Sequence, residues 1–121
     1  MVPKMNHNPI EDKSFSFAVR SVNLYKYLNN KKEFVISKQF LRSGTGIGAN
    51  VSEAIRAQSK ADFYAKMSIA LKEANETHYW LRWLYASEYL SEEEYRSMNQ
   101  DVNELISILV SICKSSQSPK S

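Results

Sequence analysis

Between Ile10 and Ser118 the chain contains no proline, and throughout that stretch its apolar residues recur at intervals of three and four. A strand pattern would alternate every second residue, so this spacing predicts long amphipathic helices and no sheet. Four segments carry it. The first runs from about Asp12 to Asn29, with Phe15, Ala18, Val19, Val22 and Tyr25 on one face, and Asn29-Asn30-Lys31-Lys32 reads as the turn after it. The second follows Ser37, the expected N-cap, with Ile36 and Leu41 as a hydrophobic staple and a stripe of Phe40, Gly44, Ile47, Gly48, Val51 and Ile55. The third follows Ser59, and its main stripe passes through Phe63, Met67, Ala70, Leu71, Ala74, His78, Leu81 and Tyr85. The fourth follows Ser91, where Ser91-Glu92-Glu93-Glu94 matches a capping box. Tyr95, Met98, Val102, Leu105, Leu109 and Ile112 then form a coiled-coil-like seam. Val35-Ile36 is the one strand-like spot and is too short for a sheet.

Connections this short favour antiparallel neighbours, so the fold class predicted is all-α, an antiparallel up-down four-helix bundle. Its expected limits are residues 12–114, with tails at 1–11 and 115–121. The 121 residues suffice for one domain with one core. No apolar run approaches the roughly 18 residues of a membrane span. The start of the chain lacks the apolar core of a signal peptide. A single cysteine, Cys113, rules out an internal disulfide. These features lead us to expect a cytoplasmic protein with no membrane association.

Two segments are apolar on more than one side. Ile69, Trp80 and Trp83 point nearly opposite to Phe63, Ala74 and Leu81, and Phe17, Leu24 and Leu28 sit away from Phe15 and Val22. A second apolar side in so small a bundle is most easily covered by another subunit, since Trp and Tyr are favoured at interfaces. Ile69, Trp80 and Trp83 are therefore the candidate oligomer interface, against the simpler reading that large aromatics wrap the bundle's edges.

Several patterns resemble catalytic or cofactor sites and fail on their missing partners. Gly44-Thr45-Gly46-Ile47-Gly48-Ala49 fits a dinucleotide fingerprint, but such glycines must follow a buried strand, and a polar helical segment precedes them here. Gly44 and Gly48, one turn apart on the core stripe, read instead as a site of close helix packing. Asn50 and Glu53, with Glu73 and Glu76, have the i, i+3 spacing of di-iron bundles without the two Glu-x-x-His motifs these require. Ion pairs of Glu73 or Glu76 with Lys72 or Arg82 are expected instead, with His78 at the edge of the core. Cys113 has no histidine near it in sequence and reads as a small core residue. No catalytic, metal or cofactor residue is assigned, and no enzyme activity is expected.

Charge is divided unevenly. Residues 1–60 hold ten Lys/Arg against four Asp/Glu, and residues 61–121 hold six against nine. On the second segment Lys38, Arg42 and Arg56 share the face opposite the core stripe with the small residues Thr45, Ala49 and Ser52, and Lys60 lies just beyond. Such a strip can approach a phosphate backbone, so Lys38, Arg42, Arg56 and Lys60 are the candidate nucleic-acid contacts.

The blocks Phe40-Leu41-Arg42-Ser43, Ile47-Gly48-Ala49-Asn50-Val51-Ser52-Glu53-Ala54 and Ala70-Leu71-Lys72-Glu73-Ala74-Asn75-Glu76-Thr77, followed by Tyr79-Trp80-Leu81, resemble the bacterial four-helix proteins known as 23S ribosomal-RNA intervening-sequence proteins. Val51-Ser52-Glu53-Ala54 departs from the family's commoner isoleucine-alanine-glutamate-glycine. The resemblance implies an up-down bundle assembled into a homopentamer. It also implies a link to RNA, because some relatives are encoded within 23S rRNA genes and related accessory proteins bind nucleic acid and a reverse transcriptase. Two functions fit: a non-catalytic homo-oligomer that binds RNA or a ribonucleoprotein through its basic face, and a protein–protein scaffold with no nucleic-acid role.

Overall fold

The computed structural model describes residues 8–116. The expected tails at 1–11 and 115–121 fall largely outside that range. Four helices follow one another: α1 (Pro9–Asn30), α2 (Ile36–Ile55), α3 (Lys60–Ala86) and α4 (Glu92–Ser116), with no strand among the described residues. Consecutive helices pack as antiparallel neighbours, α1 closes on α4, and the diagonal pairs do not meet. α1 and α4 approach each other least closely. Side chains span that wider edge: Arg20 pairs with Asp101 at 2.6 Å, Lys13 with Glu104 at 3.0 Å, and the Tyr27 hydroxyl donates to Glu94 at 2.8 Å.

Each helix start has its own cap. α1 begins three residues before the expected position because Asn8 Oδ1 accepts from the N–H groups of Ile10 and Glu11, and Pro9 occupies the first turn, where no donor is needed. Ser59 caps α3 by accepting from Asp62 N–H at 3.0 Å. At α4 the capping box is complete, with Glu94 N–H donating to Ser91 Oγ and Ser91 N–H to Glu94 Oε1. The Ser91 N–H, then the Tyr27 hydroxyl, hold the Glu94 carboxyl below its ordinary pKa, so the box persists into more acid solution than an unperturbed glutamate would allow.

The expectation for α2 is corrected. Ser37 lies inside the helix rather than at its cap, so the predicted staple is out of register. The capping group is the buried carboxylate of Glu33, which accepts from Val35, Ile36 and Ser37 N–H at 3.2, 3.0 and 2.6 Å, while Ser37 Oγ donates back to the Glu33 carbonyl. A charged acceptor on three orphan donors at the positive end of a helix outcompetes a serine hydroxyl on one. Glu33→Ala is expected to destabilise the fold by about 2 kcal/mol in urea unfolding, with Glu33→Gln intermediate. A loss within experimental error for the alanine variant would show the cap to be incidental.

The core is built from Phe40, Ile47 and Val51 of α2, Met67, Ala70, Ala74, Leu81 and Leu84 of α3, and Met98, Val102, Leu105 and Leu109 of α4. The predicted stripes of α2 and α4 are therefore largely the observed ones. In α3, Phe63, Leu71 and His78 are half-buried and Tyr85 is exposed, while Thr77 and Leu84, outside the predicted stripe, are fully buried. Cys113 is buried, as expected of a small core residue.

In α1 the two faces are exchanged. Phe15 is 69% exposed and Val19 and Val22 are exposed too, whereas Phe17 is 2% exposed and lies in the core with Ile10, Leu24 and Leu28. The reason is the backbone of α2. A Cβ on Gly44 would stand 2.3 Å from Ser21 Oγ, and one on Gly48 would stand 3.2 Å from the Ser14 carbonyl oxygen. α1 can come that close only through a face of small residues. Ser14 and Ser21 supply the small residues opposite the two glycines, with Phe17 packed between them, and Phe15-Val19-Val22 offers no such pair. Burying the two hydroxyls costs little, because Ser21 Oγ donates to the Phe17 carbonyl and Ser14 Oγ to that of Glu11.

Candidate functional site

The fingerprint glycines lie in the middle of α2, with no strand before them. Gly44 faces Ser21 and Gly48 faces Ser14, so both serve the close helix packing expected of them. Gly46 points the other way, toward the Glu73 side chain of α3.

Across the opposite side of α2, a polar seam joins it to α3. The Arg42 guanidinium reaches both Glu73, at 3.3 Å, and Glu76, and Trp80 Nε1 donates to the same Glu76 carboxylate at 3.2 Å. Below them Thr77 Oγ1 donates to Ser43 Oγ at 2.8 Å in a fully buried contact, and Lys66 pairs with Glu53 at 2.9 Å. The expected pairing of Glu73 or Glu76 with Lys72 or Arg82 is thus corrected. Their partner comes from the neighbouring helix, where one guanidinium fork serves two carboxylates a turn apart. Asn50 donates to the Gly46 carbonyl within its own helix.

These contacts change the basic strip. Lys38, Arg42, Arg56 and Lys60 are all exposed, as the helical spacing required. Arg42 is nevertheless committed to two carboxylates. Arg56 bonds the Ser52 carbonyl and hydroxyl and lies 3.8 Å from Glu11. Lys38 and Lys60 carry no ion pair among the described residues. Of four expected phosphate contacts, two are free and stand at opposite ends of the strip. Thr45, Ala49 and Ser52, between the cations, line a groove of about 560 Å³ that α2 shares with Phe15 and Ala18 of α1.

The candidate interface on α3 is partly as expected. Ile69 is 42% exposed and Trp83 44%, while Trp80 is half-buried against the core and tied to Glu76. Tyr79, exposed, joins the face beside a hollow of about 420 Å³ whose far wall is the stacked pair Tyr85–Tyr95. Tyr79 and the Phe15-Val19-Val22 stripe are the apolar surface that the sequence reading did not assign to the exterior. The Gly44-x-x-x-Gly48 spacing, matched to Ser14 and Ser21 at antiparallel offsets, was the signal available for α1.

Comparison with known proteins bears on what this scaffold is. The family described as 23S rRNA-intervening sequence protein matches residues 6–111. The chain belongs to that family. A solved protein from Bacteroides thetaiotaomicron, described as of unknown function and from the S23 ribosomal protein family, is 60% identical, with a TM-score of 0.85 over 87% of this chain and 98% of that one. Comparison with curated proteins gave no match.

Seen on the intervening-sequence fold, the blocks that carried the resemblance have a physical role. Arg42, Ser43 and Glu53 from α2 meet Lys66, Glu73, Glu76 and Thr77 from α3, so the motif residues form the polar seam between the two helices. Glu53 is accounted for by the same seam, its carboxylate pairing with Lys66. No helix among the described residues is long and apolar enough to cross a membrane.

Proposed function

We propose that this chain is the non-catalytic subunit of a homo-oligomer, and that the assembled ring is its working form. The observation that carries this reading is the presence of two separate exposed apolar faces on one small bundle, Phe15-Val19-Val22 on α1 and Ile69-Tyr79-Trp83 on α3. Monomeric proteins seldom leave large contiguous apolar surface in water. The family resemblance supports a homopentamer. Size-exclusion chromatography with light scattering is expected to give five times the 13.9 kDa subunit mass. Trp83→Glu should return the mass to that of one subunit with unchanged helical circular dichroism. A parent that stays monomeric at every concentration, or a variant of undiminished mass, would sink the proposal.

A second reading, binding of structured RNA by the assembled ring, is favoured by Lys38 and Lys60, which are exposed and unpaired among the described residues. The family's description also names 23S rRNA. With these two lysines on phosphates, log Kd against log salt should change by about 0.9 per neutralised phosphate. Lys38→Ala with Lys60→Ala should flatten that slope by about two such increments, while Arg42→Ala should change it little. Salt-independent affinity would refute phosphate contact. A partner protein captured equally well after nuclease treatment would favour the scaffold role without RNA.

A further inference from the structure

We propose that the aromatic hollow where α3 ends and α4 begins is a binding site for an unpaired base of an RNA strand, the base lying against the rings and its phosphate on Arg82. This site rests on the RNA reading above and adds contact with a base to the phosphate contact proposed there.

The hollow is built by helical spacing. Tyr79, Arg82, Trp83 and Ala86 recur at intervals of three and four and share one face of the last turns of α3. Tyr79 and Trp83 supply one set of rings. Tyr85 and Tyr95 supply the other, stacked on each other across the two helices with centroids 4.6 Å apart and ring planes 10° from parallel. Ala86 adds only a methyl group, which leaves the space between the rings open. Tyr79, Trp83 and Tyr85 are all exposed, so their π surfaces meet solvent and not the core. Tyr79 and Trp83 border the apolar face of α3 assigned above to assembly, and the Tyr85–Tyr95 pair lies on its α4 side.

Charge narrows the ligand. Among the described residues that line the hollow, Arg82 is the one charged side chain, and it is exposed without an ion pair. Glu88 and Glu92, next along the chain, do not line it, and Glu92 is paired with Arg96 at 2.9 Å. An aromatic cage for a cation would be spoiled by a guanidinium in its lining. A purely apolar ligand would leave that guanidinium without a partner. A planar ring that carries a phosphate uses both features, since rings stack on every base and a guanidinium fork fits phosphate oxygens.

A second cation stands close by. The contacts of Arg42 with Glu76 and of Thr77 with Ser43 fix the register of α2 against α3. Lys38, one turn before Arg42, is therefore level with Trp80, whose ring meets that of Tyr79 at 5.1 Å. Lys38 is exposed and carries no ion pair among the described residues. A strand with one base in the hollow can thus lay a neighbouring phosphate on Lys38. Lys60, ~33 Å from Arg82 along α3, is beyond the reach of the same few nucleotides.

Titration of the full chain with a short single-stranded oligoadenylate RNA, followed by anisotropy of the labelled strand and by tryptophan fluorescence, tests this. The strand is expected to bind about tenfold more tightly than the same strand paired with oligouridylate, because pairing withdraws its bases into the stack. Tyr85→Ala should weaken strand binding about tenfold or more, and Tyr85→Phe should restore it, since the ring and not the hydroxyl stacks. Arg82→Gln should weaken binding and flatten its salt dependence by about one phosphate's increment. Trp83→Phe should keep most of the binding and lose most of the fluorescence quenching. If circular dichroism shows Tyr85→Ala to be unfolded, Arg82→Gln and Tyr79→Ala decide. Equal affinity for strand and duplex, or unchanged strand affinity in the ring and arginine variants, would overturn the hollow as a base site while leaving the phosphate reading in place. Adenosine monophosphate binding as tightly as the strand would overturn the strand as its ligand in favour of a free nucleotide. A lower mass by light scattering in Tyr85→Ala and Arg82→Gln would overturn it in favour of a contact between subunits. A parent that binds no RNA at any salt concentration would instead remove the RNA reading on which the site rests.

Discussion

Phe17→Ala is expected to cost the fold about 3–5 kcal/mol, while Phe15→Ala, two residues away, should change the stability of the isolated subunit by less than about 0.5 kcal/mol. Phe17 is 2% exposed and packs edge-on against Phe40 with ring centroids 6.4 Å apart, so truncation removes a large side chain from the contact between α1 and α2 and leaves a cavity. Phe15 stands in solvent on the subunit, and its removal takes away surface that water already wets. Its effect should appear in assembly, as a lower mass by light scattering at the same protein concentration. Urea unfolding of both variants at a concentration where the subunits are dissociated makes the comparison, since association would otherwise add to the apparent stability. If Phe15→Ala proved the more destabilising of the two, the assignment of the α1 faces would be wrong.

That pair of residues also marks where reading the chain by hydrophobicity stops. For α2 and α4 the stripe of large apolar residues and the buried face coincide, because each fills the centre of the bundle with side chains. For α1 they do not. Its buried face interrupts Ile10, Phe17, Leu24 and Leu28 with Ser14 and Ser21, and a search for an unbroken apolar stripe settles on Phe15, Ala18, Val19 and Val22 instead. The decisive information lies in another helix, in the two glycines that bring α2 so close that only small residues fit opposite. Caps divide in a similar way. Ser59 and Ser91 act locally and were legible from their spacing, whereas Glu33 reaches forward across two residues to cap α2, a pattern the usual serine signal hides. The site behaves likewise. The basic strip on α2 is a property of one helix, and helical spacing placed its four cations on one exposed face. That Arg42 is neutralised depends on Glu73 and Glu76 of α3, some thirty residues away, and no single-helix pattern contains that contact.

Gly44→Leu should be the most disruptive change on α2, with an expected loss of about 3 kcal/mol or more, because overpacking a closed seam usually costs about 1–3 kcal/mol and here both sides are helix. Alanine substitution makes the argument sharper, since it sets two effects of known sign against each other. In a helix interior Gly→Ala contributes about 1 kcal/mol of favourable propensity. At Gly44 the new Cβ would meet Ser21 Oγ at 2.3 Å and Ser21 Cβ at 2.9 Å. The hydroxyl could rotate, but the Cβ is fixed to the α1 backbone, so α1 must move away and the Phe17–Phe40 contact loosens with it. Repulsion should win, leaving Gly44→Ala about 1–2 kcal/mol less stable than the parent. At Gly46 the nearest atom is the Glu73 carboxyl carbon at 3.2 Å, the end of a flexible side chain that can yield, so Gly46→Ala should be neutral or stabilising by up to about 1 kcal/mol. Gly48 should fall between them, since its neighbour at 3.2 Å is the Ser14 backbone carbonyl, which yields less than a side chain but is not in outright collision. Thermal or urea unfolding of the three alanine variants should therefore rank Gly46, Gly48, Gly44 from most to least stable. Ser21→Gly should recover part of the loss in Gly44→Ala and none in Gly48→Ala, which a double-mutant cycle resolves. A Gly44→Ala variant as stable as the parent would mean that the helices stand further apart than described, and the reason given for the exchanged faces of α1 would fall with it.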